Sequence, residues 1–422
     1  MRKPISKWLS GGCFSLLLLL GLNGLSLPLS DEAVAAPSSQ NKELGKVSPH
    51  WVLYFIFEPS PSNSKYILFD ADTAEVKAWL STGYIPSLEV SPDGGEMIVA
   101  DTWSEGPERL RADYVSFYDS EDYSFSGAIE MPENRRAMMA PQFRTAVVGD
   151  GELFLMFTFP NNGITVIDTG ERRIINEIDT PGCSLLYPTG ERGVSMICGD
   201  GSLLTLHLDA DGKVVKRSTS EPFFDPDADP VMENAAVVGG TYYFSSYGGD
   251  VYEVDLSGEE PEFHEPWSMV DCCRDEPLAG GEAGAWNIGG VQYLTAHPDR
   301  GELYALMHQP SVSGPWDHSF PGNEAWVYDL ASKKRIRRIP LEGYMNTLYV
   351  TTDAEPLLVT SGSALLDAGT EDEAVDAHAR DVIPSASVLQ VYDAVEGTYL
   401  RKMDQVGITY YVQAAPGNGG RQ

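Results

Sequence analysis

The sequence predicts an all-β chain, a seven-bladed β-propeller of four-stranded antiparallel blades. Three observations predict it: short β-rich runs that recur and end in an acid, intervals that suit a four-stranded unit, and abundant turn residues. The runs are YILFD at Asp70, VSFYD at Asp119, ITVID at Asp168, LLTLHLD at Asp209, VYEVD at Asp255, AWVYD at Asp329 and LQVYD at Asp393. They are 49, 49, 41, 46, 74 and 64 residues apart. With 422 residues, 41 Gly and 28 Pro, the chain exceeds one ordinary core and suits either several domains or a repeat.

Taken in order, residues 1–35 read as a signal peptide. Arg2, Lys3 and Lys7 form a basic region, Phe14 to Leu20 is apolar, and Ala33-Val34-Ala35 offers a small-residue cleavage site. No later stretch reaches about 18 apolar residues, so no membrane attachment is expected. An N-terminal arm follows over 36–49, the propeller over 50–415 and a tail over 416–422. The aromatic strand Trp51 to Phe57 is expected to close the ring against C-terminal strands. Between the acid-ended strands lie strand–turn–strand patterns such as LEVSPDGGEMIVA, VVGDGELFLMF, YLTAHPDRGELYALM and LYVTTDAEPLLVT. The two long intervals leave room for insertions, among them Pro261 to Gly284 and the acidic stretch Thr370 to Asp381. Each terminal acid is expected to accept backbone N–H groups in the turn that starts the outer strand, since Asp does this readily.

Export leaves four cysteines, Cys183, Cys198, Cys272 and Cys273, with three possible connectivities in an oxidising compartment. Cys183 and Cys198 bracket a hairpin and form the simplest bridge. Adjacent Cys272 and Cys273 either bond to each other or pair with other thiols. Asp plus Glu outnumber Lys plus Arg by 62 to 29, a formal charge of −33. Such a surface repels nucleic acid and anionic membranes and favours cationic ligands or basic partner surfaces.

Self-contained catalytic motifs are missing. There is no G-x-S-x-G elbow, P-loop, dinucleotide glycine motif or H-E-x-x-H sequence. DPDADP at Asp225 to Pro230 starts like a calcium loop but lacks the glycine after the third acid, and its twelfth position is Ala236. The histidines His50, His207, His264, His297, His308, His318 and His378 are scattered, so no metal site and no catalytic residue is expected in this chain. Two aromatic stretches remain as candidate ligand walls. ADTWSEGPERLRADYV sets Trp103 just beyond a strand in a Gly/Pro loop, and GPWDHSFPGNEAWVYD carries Trp316 and His318.

At these segments the chain resembles the heavy subunit of the quinoprotein amine dehydrogenases, the methylamine and aromatic amine dehydrogenase family. The stretches that carry the likeness are RADYVSFYD, CSLLYPTGERGVSMICGDGSL, YGGDVYEVDLS and GPWDHSFPGNEAWVYD, in order over roughly residues 60 to 415. The resemblance implies a seven-bladed subunit without a cofactor of its own. Tryptophan tryptophylquinone and the catalytic base would sit on a small, Cys-rich light subunit, in a periplasmic α2β2 assembly. Primary amines, methylamine favoured, would be oxidised to aldehyde and ammonia, with electrons passing to a blue copper protein or a c-type cytochrome. It further implies that Trp103 lines the substrate channel, where methylamine enzymes of the family carry Phe, and that Cys183 and Cys198 form the disulfide. Ser319 departs from the Lys expected after the histidine, and Cys272 and Cys273 have no counterpart. An alternative is an exported propeller that binds a ligand or protein and has no redox partner; a self-sufficient propeller hydrolase is a third.

Overall fold

The computed structural model describes residues 44–57, 64–105, 110–133, 135–137, 142–271, 286–309, 318, 320–363 and 387–417. Residues 1–35, expected to be a signal peptide, and Cys272, Cys273, Trp316, Ser319, His378 and the acidic stretch 370–381 lie outside the described residues. Within them the chain is an all-β propeller; its single described helix is the 3-10 turn Pro298–Arg300.

Four strands per sheet is the repeating plan. The first sheet runs Ile408–Ala414, Trp51–Phe57, Ser64–Asp70, Glu75–Thr82, and the second Tyr84–Val90, Glu96–Glu105, Leu110–Asp119, Phe125–Glu130. Thr145–Val148, Leu153–Pro160, Gly163–Asp168 and Arg173–Asp179 form the third, which Arg135–Ala137 also joins. Cys183–Thr189, Gly193–Cys198, Leu203–Leu208 and Val214–Thr219 form the fourth. The fifth holds Val231–Val238, Thr241–Ser246, Asp250–Asp255 and the short outer pieces Glu262–Phe263 and Trp267–Ser268. All the pairings within these sheets are antiparallel.

Hydrogen bonding groups the described strands into six sheets where the sequence predicts seven blades, and one strand is the reason. Lys334–Val350 is 17 residues long. Its first part pairs with Gly322–Asp329, and from Tyr344 onward it pairs with Leu357–Ser363. It therefore joins Asn287–Ile288, Leu294–His297, Glu302–His308 and Gly322–Asp329 on one side to Leu357–Ser363, Ser387–Asp393 and Tyr399–Asp404 on the other, in one eight-stranded sheet.

Ring closure is mixed, as expected from the aromatic N-terminal strand. Trp51–Phe57 pairs with Ser64–Asp70 on one side and with the C-terminal Ile408–Ala414 on the other. Alternate side chains of a strand face opposite ways, and this strand uses both faces. Leu53 and Phe55 pack with Leu88, Met97 and Val99 of the second sheet. Val52 and Tyr54 pack with Leu357, Val359, Leu389 and Val391 from the eight-stranded sheet. The other cores are likewise shared between neighbours: Ile98 and Phe117 with Phe154 and Met156, and Leu155 and Val166 with Val194 and Leu206.

Each acid that ends a strand holds the turn beyond it. Asp70 Oδ1 accepts the N–H groups of Asp72 and Thr73, and Asp119 Oδ1 those of Glu121 and Asp122. Asp168 accepts from Glu171, Asp209 from Lys213, Asp255 from Ser257, Asp329 from Ser332, and Asp393 from Val395 and Glu396. In five of these turns the residue four after the acid is left-handed: Ala74, Tyr123, Arg172, Lys333 and Gly397. A register shift follows in the ladder of each of the five. The recurring acid is thus the seed of a bulged turn from third to fourth strand.

His50 braces the closure electrostatically. Its Nδ1 lies 2.8 Å from Asp72 of the first sheet and its Nε2 3.0 Å from Asp353, in the turn before Leu357–Ser363. Burial opposes charge on the ring, but the Asp72 and Asp353 carboxylates outweigh it and raise the pKa above its ordinary value. A raised folded-state pKa stabilises the fold fully below the unfolded value of about 6.5 and loses that contribution as pH rises through the folded value. Thermal unfolding is therefore expected to show a stability advantage of the parent over His50→Gln at about pH 6 that shrinks at alkaline pH. A difference between the two that does not change with pH would contradict the brace.

Candidate functional site

Trp103 sits on a ribbon that outreaches its own sheet. Glu96–Glu105 and Leu110–Asp119 pair along their whole length, from Glu96 opposite Asp119 to Glu105 opposite Leu110. Their outer neighbours stop sooner: Tyr84–Val90 pairs as far as Thr102, and Phe125–Glu130 as far as Tyr114. Met131 adds one further backbone bond, to the Asp113 carbonyl at 2.8 Å. Beyond that point, among the described residues, 103–105 and 110–112 pair in the ladder with each other alone. Their outer backbone groups form edges of the kind that other chains engage.

The sequence places Trp103 in a loop; the structure puts it inside the strand, half-buried and opposite Ala112. The ladder runs on because Leu110, Arg111 and Ala112 supply partners; residues 106–109 lie outside the described residues.

Asp101 is two positions before Trp103, so both side chains share one face of the strand. Asp101 is buried at 4% exposure, and its Oδ2 accepts the Gly83 N–H at 2.7 Å. Glycine is required there, since a Cβ on residue 83 would stand 2.3 Å from the Thr102 carbonyl oxygen. Burial pushes the Asp101 carboxyl up to about 7; the Gly83 N–H and the Trp103 side chain pull it down, and the like charge of Asp113 adds to the rise. Asp113, also buried, has different company on the other face. Thr102 Oγ1 donates to its Oδ1 at 2.6 Å, and the Arg111 guanidinium stands 3.0 Å from its Oδ2. Among the described residues, the two strands thus carry one acid paired with a cation, Asp113, and one with no such pair, Asp101. The sequence reading missed Asp101; the only local signal was an acid two residues ahead of the tryptophan in ADTW.

A second aromatic site lies on the fifth sheet. The Tyr247 and His318 rings stack at 4.0 Å with an interplanar angle of 16°, and Tyr247 Oη lies 3.1 Å from His318 Nε2. Tyr247 is 39% exposed. His318 is held from behind by its carbonyl, which accepts the Gly290 N–H at 3.2 Å.

The inner strands surround a channel of about 740 Å³. Ser87, Thr145, Pro188, Ala235, Leu294, Tyr349 and Val412 contribute to its wall, each from a different strand. Gln292 bridges across it, donating from Nε2 to the Val412 carbonyl and accepting the Val412 N–H at Oε1, both at 2.8 Å. Cys183 and Cys198 are bonded as a disulfide between directly opposed strands. Among the described residues no group of three or more His, Cys, Asp and Glu is placed to hold a metal ion. Trp286 and Trp326 are near each other, with ring centroids 5.0 Å apart, but both are buried and lie under the Arg338 guanidinium.

Comparison with known proteins bears on what this surface serves. A family model described as methylamine dehydrogenase heavy chain (MADH) matches residues 59–415. The methylamine dehydrogenase heavy chain of Methylophilus methylotrophus is 25% identical over 426 residues, covering 96% of this chain and 95% of that protein. The heavy chain from Paracoccus versutus is 27% identical over 349 residues, 82% of this chain and 74% of its own length. Among solved structures, a dihydro-heme d1 dehydrogenase superposes with a TM-score of 0.50 at 14% identity, over 89% of this chain and 77% of that one. That last likeness is one of fold alone.

Proposed function

We propose, for a chain that belongs to the methylamine dehydrogenase heavy chain family, that it is the cofactor-free heavy subunit of a periplasmic amine dehydrogenase. Its substrates are primary amines, methylamine favoured, which leave as aldehyde and ammonia. The carrying observation is the family match, which runs through nearly all of the described propeller. Tryptophan tryptophylquinone on a small Cys-rich light subunit supplies the two-electron oxidation in an α2β2 assembly, and electrons leave to a blue copper protein or a c-type cytochrome. The group does not fit the described tryptophans of this chain: Trp286 and Trp326 form a core pair covered by arginine. What this chain contributes is shape and charge. Trp103 walls the substrate channel from a ribbon whose edges are free to meet the light subunit, and the acidic surface draws in alkylammonium ions. Residues 1–35 direct export.

A seven-bladed ring belongs to the same proposal. The eight-stranded sheet counts as two blades, because Lys334–Val350 changes partners part-way along. Seven different inner strands, those of Ser87, Thr145, Pro188, Ala235, Leu294, Tyr349 and Val412, contribute to the channel wall, which supports that count.

Affinity capture of the full chain from its native host tests the assignment. A small, Cys-rich, visibly coloured chain is expected to accompany it in equal amount. Recovery of this chain alone and colourless would contradict it. On the complex, Trp103→Ala is expected to change the kcat/KM ratio of a bulky to a short amine by roughly tenfold or more, with little loss of stability. An unchanged ratio would remove Trp103 from the channel.

A further inference from the structure

The outer strand of the fifth sheet is broken, and the break opens an aromatic cleft at the edge of that sheet. Glu262–Phe263 pairs with Val254 and Asp255, and Trp267–Ser268 pairs with Asp250 and Val251. Tyr252 and Glu253 have no ladder partner there; Pro266, which has no N–H to give, falls in the gap. Three rings line the resulting cavity of about 440 Å³: Tyr252, Phe263 and Phe223, the last from the connection between the fourth and fifth sheets. The Phe223 N–H donates to the Gly201 carbonyl at 2.9 Å, which fixes that connection. The Phe223 centroid stands 5.4 Å from that of Phe263 and 5.8 Å from that of Tyr252, whose plane is turned by 79°, so the rings wall the cleft from two directions. Phe263 is 38% exposed, and Tyr252 and Phe223 are half-buried. Charge accompanies the rings. Glu221 and Glu253 line the same cavity, and Glu262 precedes Phe263 in the chain. Glu253 is already engaged: its Oε1 accepts the Trp267 indole N–H at 2.7 Å and faces the Lys333 ammonium at 3.2 Å. Glu221 is exposed and forms no ion pair among the described residues. His264 is the one base in the lining.

We infer that this cleft is a binding site for small alkylammonium ions, separate from Trp103 and its surroundings. Ring faces attract a cation whose methyl groups can lie against them, and a carboxylate beside them adds charge without requiring a directional bond. A neutral apolar guest would leave the Glu221 carboxylate without a counter-charge, and an anion would meet the wrong sign on a chain of net charge −33. The volume falls at the lower end of the roughly 300–1,000 Å³ that small-molecule pockets span. The cleft belongs to the fifth sheet and Trp103 to the second, so the inference stands independently of the amine dehydrogenase assignment.

Tetramethylammonium chloride is the probe, titrated into the full chain at constant ionic strength. Binding is followed by calorimetry and by saturation transfer from aromatic protons of the protein to the methyl groups of the probe. Saturable binding is expected, with tert-butanol, an uncharged molecule of similar shape, bound at least about fivefold more weakly. Phe263→Leu and Glu221→Gln are each expected to weaken binding roughly two- to fivefold, and Phe263→Tyr to preserve it. Both side chains are exposed, so neither change threatens the fold. The absence of saturable binding, equal binding of tert-butanol, or parent-like affinity in both Phe263→Leu and Glu221→Gln overturns the site. An Nα-acetyl-lysine amide that binds through Phe263 more tightly than tetramethylammonium overturns the small-ion reading and assigns the cleft to a basic partner protein. The expected pattern in a chain that supports no amine oxidation upholds the site and removes the amine dehydrogenase assignment alone.

Discussion

Truncation after Gly407 is expected to abolish cooperative unfolding of this chain. The lost segment is Ile408–Ala414, the inner strand that pairs with Trp51–Phe57. Its removal uncovers backbone groups of Val52, Leu53 and Tyr54, residues now at most 2% exposed. It also strips Val412 from both ends of the Gln292 amide, leaving that amide with two unmet bonds inside the channel. A ring buries its sheet faces only while every sheet has two neighbours. Opening it at one seam therefore costs more than a local edit, on the order of the 5–15 kcal/mol that keeps a domain folded. Denaturant unfolding followed by far- and near-ultraviolet circular dichroism checks this. A sharp, parent-like transition in the truncated chain would mean that the closure strand does not hold the ring.

Arg338→Ala is expected to destabilise the fold by roughly 3–5 kcal/mol, because it leaves a buried acid unpaired. Glu324 is 5% exposed, and Arg338 grips both its oxygens, from Nε and Nη2 at 2.7 Å each. The same carboxylate accepts the Trp326 indole N–H at 2.8 Å. The Arg338 guanidinium also covers two aromatic faces, 5.0 Å from the Trp286 centroid and 5.5 Å from that of Trp326. Losing it therefore removes cation–π contact as well as charge. Arg338→Ala combined with Glu324→Gln is expected to recover part of the loss, since no buried charge then stands alone. Equal destabilisation by the single and double variants would show that the arginine acts through packing, not through Glu324.

Arg335 and Arg338, whose guanidinium groups stand 4.2 Å and 5.5 Å from the Trp326 centroid, illustrate what the sequence could and could not reveal. KKRIRRIP reads as a strand with charge on its face, and it is one. Nothing local says that its arginines lie over buried tryptophans from other strands. The acid-ended strands were legible because the device is local: Asp393 meets the N–H groups of Val395 and Glu396, two and three residues on. The length of Lys334–Val350 was not. Pro340 and Gly343 look like a break, yet the strand continues because a new partner, Leu357–Ser363, takes over from Tyr344.

The candidate site divides the same way. Trp103 stood out through its neighbourhood and its resemblance to a family position. Asp101 did not, because its state depends on Gly83, Asp113 and burial by other strands. His50 was one scattered histidine among several until the fold brought Asp353 to it across 303 residues of chain. Long-range packing sets the protonation of both groups, and no short window of sequence contains it.

Amine-dependent reduction of an artificial electron acceptor, measured on this chain alone and on the complex isolated from its host, tests the central claim most directly. The expected result is turnover of a primary amine by the complex and none by the lone chain, with activity returning when a quinone-bearing small subunit is added back. Turnover by the lone chain, or a pure complex that oxidises no primary amine, would contradict the account.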